Sequence, residues 1–190
     1  MPNRQRSPFW PLSLIAILVI SVGPLTIPQA RADLGVTAPS EFRVPEGFEV
    51  ELIYEVPSET QGSWVSLTVD PEGHLLACDQ EGSLYRIDVG GDAAKVEKVA
   101  ADIGSAQGLL FAFDSLYVNV NGKDQKKNGV YRLTDTNGDG AYDKNEFILP
   151  LRGGGEHGPH ALILSADGKR IITCGGNMTA LPEHIARSRV

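Results

Sequence analysis

Two short strings, Leu84-Tyr85-Arg86-Ile87 and Val130-Tyr131-Arg132-Leu133, repeat one pattern with their tyrosines 46 residues apart. A glycine stands just ahead of each, at Gly82 and Gly129. A turn followed by a short apolar strand also recurs, over 70–78, 113–119 and 167–174, and no stretch after residue 33 keeps helical spacing for three turns. A period of roughly 40–50 residues built from short strands is the mark of a β-propeller, whose blades are four-stranded sheets. Such sheets have two apolar faces and bury them only by stacking on one another. A β-sandwich also spaces short strands by turns, but the matched Tyr-Arg strands argue for tandem units, and the fold class predicted is all-β.

Local patterns fill in the units. Phe48, Val50, Leu52, Tyr54 and Val56 alternate with Glu49, Glu51, Ile53 and Glu55, which predicts a half-buried strand over 48–56. Strands are predicted over 64–69, 74–78 and 84–88, separated by the turns Asp70-Pro71-Glu72-Gly73 and Gln80-Glu81-Gly82. Trp64, Tyr85, Tyr117 and Tyr131 are read as packing between blades rather than as a stacking platform for substrate.

The first segment reads as an export signal. Arg4 and Arg6 precede an apolar run over 12–22 that Gly23 and Pro24 stop. That run is too short for a spanning helix, which needs about 20 residues. Ala30-Arg31-Ala32 has the small-x-small form of a cleavage site before Asp33. The chain is thus divided into a signal peptide, 1–32, and a partial propeller domain, 33–190, secreted or periplasmic and without a stable membrane span. Residues 33–190 carry 14 bases against 24 acids, a formal charge of −10, which repels phosphate backbones and argues against nucleic acid as a partner. At about 45 residues per blade they supply roughly three to four blades where closed rings use about four to eight. The expectation is an incomplete ring whose remaining blades are missing and whose open edges favour association. Export makes a Cys78–Cys174 disulfide chemically accessible, yet each cysteine lies in a short apolar run and is read as a small buried hydrophobe in a strand. The chain has no Cys-x-x-Cys-His haem site and no zinc-ligand spacing.

The sharpest local signal runs from Asp135 to Glu146. Asp135, Asn137, Asp139, Ala141 (through its carbonyl), Asp143 and Glu146 occupy every ligand position of a twelve-residue EF-hand-like calcium loop, with Gly140 at the sharp turn. Hard oxygen donors at alternate positions are what replaces the hydration shell of Ca²⁺. The flanks are strand-like rather than helical, so the loop is read as a calcium-binding insertion between strands with a structural role. An acidic hairpin turn that binds nothing is the competing reading.

A second cluster, Gly153-Gly154-Gly155-Glu156-His157-Gly158-Pro159-His160, precedes a strand over 161–164 and an Ala166-Asp167-Gly168 turn. Glycines let a backbone approach a ligand closely, and two imidazoles beside a carboxylate suit proton transfer. The run from Glu156 to Gly168 resembles the active-site segment of soluble glucose/sorbosone dehydrogenases that depend on pyrroloquinoline quinone (PQQ), and Ala106-Gln107-Gly108-Leu109-Leu110 resembles their Gln-Gly-Leu-Leu segment. Ser63-Trp64-Val65-Ser66-Leu67, Asp79-Gln80-Glu81-Gly82-Ser83-Leu84-Tyr85-Arg86 and Asp114-Ser115-Leu116-Tyr117-Val118 are similar to the large secreted bacterial proteins of the membrane-bound dehydrogenase type, which carry such a propeller. The resemblance spans roughly residues 48–183. It implies that His157 is the general base taking a sugar hydroxyl proton as hydride leaves for the quinone. It further implies that Glu156 orients that base or the substrate, that Gln107 contacts substrate or cofactor, and that His160 contacts the cofactor. Where the family has an arginine shortly after the histidine, this chain has Ala161, and the family's later cofactor-binding arginines and lysines have no counterpart here, which implies an inactive chain by itself. The expectation is therefore the propeller portion of a PQQ-dependent sugar or aldose dehydrogenase-like protein with bound calcium. The alternatives are a non-catalytic calcium-binding module for carbohydrate or protein, and an inactive fragment.

Overall fold

The computed structural model describes residues 37–181; the leader read over 1–32 lies outside them, as does the side chain of Glu156. The described residues form an all-β structure. Strands β1 (Trp64–Val69), β2 (Leu75–Asp79), β3 (Leu84–Asp88) and β4 (Lys95–Val99) make one antiparallel sheet in the order β1-β2-β3-β4. Strands β5 (Ala106–Ala112), β6 (Ser115–Val120), β7 (Gly129–Thr134) and β8 (Lys144–Pro150) repeat that meander as a second sheet. Strands β9 (Pro159–Leu164) and β10 (Ile171–Gly175) form a two-stranded hairpin, and none of the three sheets closes on itself.

The sheets stack face upon face, because alternation along each strand sends apolar groups to both sides. Leu76 and Cys78 of β2 and Leu84 of β3 meet Leu109, Leu116, Val118 and Leu133 of the second sheet in one buried core. The opposite face of that second sheet offers Leu110, Tyr117 and Val130, which pack with Leu162 of β9 and Ile171 of β10. The second sheet is thus covered on both faces, and it stands between the first sheet and the hairpin. Polar links run along the same seam. Ser66 and Thr68 of β1 accept the backbone N–H groups of Leu109 and Phe111 at 3.0 and 3.3 Å. Across the other seam, the Asn119 amide donates to the Thr173 hydroxyl at 2.9 Å.

The repeat strings take equivalent places: Leu84-Tyr85-Arg86-Ile87 lies within β3 and Val130-Tyr131-Arg132-Leu133 within β7, each the third strand of its sheet. Two readings need correction. Residues 48–56 form no strand: alternation makes a segment two-faced but does not by itself supply a ladder partner. Tyr54 instead stacks on Trp64, which stacks in turn on Tyr85, with centroids 5.7 and 5.2 Å apart. The cysteines are both free, but only Cys78 is buried; Cys174 is exposed on β10. Burial pushes the Cys78 thiol up to about 12, so it is inert.

Candidate functional site

Two clefts lie at opposite ends of the sheet stack. At the end carrying the β1–β2 turn, a cleft of about 860 Å³ is covered by the β7–β8 loop and lined by seven carboxylates, including Asp70, Glu72, Asp114, Asp135 and Asp139, against Arg86 and Lys95. Within it, Asp70, Glu72 and His74 bring one potential metal-ligand atom each to within 4.8 Å of the others. Two of the three, Asp70 and His74, are already engaged by protein contacts. His74 Nδ1 lies 2.9 Å from Asp70 Oδ2, the His74 backbone N–H donates to Asp70 Oδ1 at 2.8 Å, and Arg86 Nε lies 3.6 Å from Oδ2. The sequence pattern around Asp70 had shown only a turn.

The β7–β8 loop is wound around its first ligand position. Asp135 accepts the N–H groups of Asn137, Gly138 and Gly140, the last at 2.8 Å, and these bonds hold its carboxyl below the usual range, the Gly140 N–H foremost. Gly140 has φ +86°, the left-handed region that glycine enters without strain. Asn137 Nδ2 donates to Asp139 at 3.1 Å, so positions 1, 3 and 5 share one small turn. Asp143 closes back on Thr136, whose hydroxyl and N–H lower its pKa. Glu146 points elsewhere: Arg132 Nε donates to it at 2.9 Å, Lys144 Nζ lies 3.3 Å away, and Arg132 depresses its pKa first. The loop is anchored across the seam. Arg86 of β3 donates to the Gly140 carbonyl at 2.9 Å, the Tyr142 N–H donates to Ala100 at 3.0 Å, and the Tyr142 ring packs on the core, where burial pushes its phenol up to about 12. The donors at 135, 137, 139, 141 and 143 are all oxygens, a set chemically suited to Ca²⁺ rather than to a softer ion.

At the other end of the stack, a cleft of about 1340 Å³ is lined by Gln107 of β5, His157 of the Gly155–His157 turn and His160 of β9, residues far apart in sequence. Gly108 explains the meeting. A methyl group on it would stand 2.0 Å from the His160 carbonyl oxygen, so only glycine lets β5 and β9 come together at this point. The glycine-rich strand entry is held by asparagines. Asn128, 1% exposed, donates to the Gly122 and Gly153 carbonyls at 3.1 and 2.7 Å and accepts the Gly122 N–H at 2.8 Å, and Asn121 donates to Gly155 at 2.8 Å. The His157 carbonyl accepts the Met178 N–H at 3.1 Å, which fixes the backbone while the residue stays exposed. Lys123 and Arg152 line the same cleft beside Glu81 and Asp124. These two cations and the two asparagines went unnoticed in the sequence, because nothing in spacing marks which loops converge.

Amide, imidazole, ammonium and guanidinium groups make this a donor-rich cleft, chemistry that fits the carboxylates and carbonyls of an acidic quinone as well as the hydroxyls of a sugar. The described residues include no helix long and apolar enough to cross a membrane. Comparison with protein-family models, with curated proteins and with solved structures finds no match.

Proposed function

We propose that this chain is the exported propeller portion of a PQQ-dependent sugar or aldose dehydrogenase-like protein, with calcium as a structural ion. The observation that carries this reading is the convergence of Gln107, His157 and His160 on one cleft through the Gly108 contact. Two consecutive four-stranded meanders packed face to face, followed by a hairpin on the same stack, support blades as the unit of the fold. The cleft exceeds the roughly 300–1,000 Å³ of ordinary small-molecule pockets, room for a flat cofactor beside a sugar.

In this reading Lys123 and Arg152 attract the carboxylates of PQQ, and Gln107 and His160 donate hydrogen bonds to cofactor or sugar. PQQ, when bound, accepts the hydride. His157 takes the hydroxyl proton, a role suited to an imidazole whose ordinary pKa lies near neutrality. At the opposite end, Asp135, Asn137, Asp139, Asp143 and the Ala141 carbonyl would hold calcium, and Glu146 would complete the set on leaving Arg132.

The test is reduction of an artificial electron acceptor by a full-length version that carries the remaining blades, supplied with PQQ, calcium and an aldose. Turnover is expected to fall at least 100-fold in His157→Ala, within the range of about 10²–10⁴ for loss of a general base. No turnover with any aldose, and no effect of His157→Ala, would favour the second reading. That reading is a non-catalytic calcium-binding module, to which Ala161 lends weight by standing where the dehydrogenases have arginine.

A further inference from the structure

The turn between β1 and β2 gathers three metal-ligating side chains that neither the calcium loop nor the histidine cleft uses. Asp70, Glu72 and His74 alternate along Asp70-Pro71-Glu72-Gly73-His74, and a tight turn folds positions 70 and 74 onto each other. Its backbone is fixed. The Asp70 N–H donates to the His74 carbonyl at 3.0 Å, the Gly73 N–H donates to the Asp70 carbonyl at 3.1 Å, and Gly73 takes φ +89°. One ligand atom from each of the three side chains lies within 4.8 Å of the other two. The closest pair, Asp70 Oδ2 and His74 Nδ1, is 2.9 Å apart. An ion bound at about 2.0–2.2 Å to two neighbouring ligands holds them about 3 Å apart, so this pair already has the spacing of a chelate.

We propose that this turn is a metal centre separate from the calcium loop, taking a divalent transition ion of the Zn²⁺ class through Asp70, Glu72 and His74. The imidazole decides the class: calcium and magnesium sites are built from oxygen, whereas one nitrogen with two carboxylates suits zinc. The ion replaces the proton shared by Oδ2 and Nδ1. Arg86, 3.6 Å from Oδ2, is free to yield because Glu97 and the Gly140 carbonyl hold it at 3.1 and 2.9 Å. The buried Asp70 carboxylate and the half-buried imidazole form the fixed part of the site. Glu72 is exposed, makes no hydrogen bond or ion pair among the described residues, and completes the set at no cost in broken contacts. Seven carboxylates against Arg86 and Lys95 draw divalent cations into this cleft. Three protein ligands leave a fourth position for water.

Calorimetric titration of Zn²⁺ into the full chain, with Ca²⁺ in excess, tests this. One Zn²⁺ per chain is expected, with an affinity unchanged by Asp135→Asn and an imidazole nitrogen bound to the metal by X-ray absorption. His74→Ala should weaken binding at least tenfold and remove the imidazole signature, since even loss of a partner behind a ligand costs about 10–100-fold. Glu72→Gln, at an exposed turn position outside every strand, should weaken binding as well and leave the β-sheet circular dichroism unchanged. The proposal is overturned by no Zn²⁺ binding in the wild-type chain, or by binding that excess Ca²⁺ abolishes. It is equally overturned by binding that ignores His74→Ala and Glu72→Gln, or that disappears in His157→Ala/His160→Ala instead.

Discussion

The two ends of the sheet stack differ in what holds them. At the calcium-loop end, side chains do the holding: Asp135 and Asp143 are wrapped by loop donors, Arg86 reaches across the seam to Gly140, and Arg132 grips Glu146. At the glycine end, the backbone is held, by Asn121, Asn128 and the His157 carbonyl, and the residues with useful chemistry line an open cleft. Side chains spent on each other make a clamp; a fixed backbone that leaves a cleft open between loops makes a site. The acidic end is accordingly read as structural and the histidine end as functional, although the acidic end holds more titratable groups.

Gly108→Ala breaks the glycine end most severely. Its methyl group would collide with the His160 carbonyl, so β5 and β9 must part, at a cost of about 3 kcal/mol or more. A lowered urea midpoint together with lost cleft binding is expected; an unchanged midpoint would mean the approach of β5 and β9 does not matter.

A smaller effect is expected from calcium. If the loop is a clamp, saturating Ca²⁺ raises the unfolding midpoint by about 5 °C, equivalent to binding well above its dissociation constant. Asp135→Asn should abolish that gain. Because Glu146 is engaged by Arg132, Glu146→Gln should remove less of it. Equal losses in the two variants would show that Glu146 swings to the ion.

Arg86→Met sharpens the comparison at lowest amplitude. It deletes the donor to Gly140 and the pairings with Glu97 and Asp70, and keeps much of the stem. A loss of about 1–2 kcal/mol is expected, without change at the histidine cleft. Altered cleft binding in this variant would mean the two ends are coupled.

Much of the fold was legible because it is local. Strands β1, β3 and β7 follow from alternation and punctuation by Gly and Pro, and the turn-rich stretch over 135–143 follows from its run of Asp, Asn and Gly, whereas Lys144, Asn145 and Glu146 of the expected twelve-residue loop lie already in β8. What was not legible depends on partners. Strand β4, with Lys95, Glu97 and Lys98 exposed, has the weak pattern of an edge. Residues 48–56 have a strong strand pattern but join no sheet, so pattern and structure disagree. Cys174 and Cys78 sit in similar apolar runs, yet only Cys78 has a sheet packed over it. The meeting of Gln107 with His160 rests on the crossing of β5 and β9 at Gly108, a contact between residues 52 positions apart that spacing cannot reveal.

The most direct test of the histidine cleft is calorimetric titration of PQQ into the calcium-loaded chain, with Gln107→Ala and His160→Ala alongside. Saturable binding at one site per chain, weakened at least tenfold by either substitution and untouched by Arg86→Met, is the predicted result. Absence of binding, or binding that ignores Gln107 and His160, would contradict it.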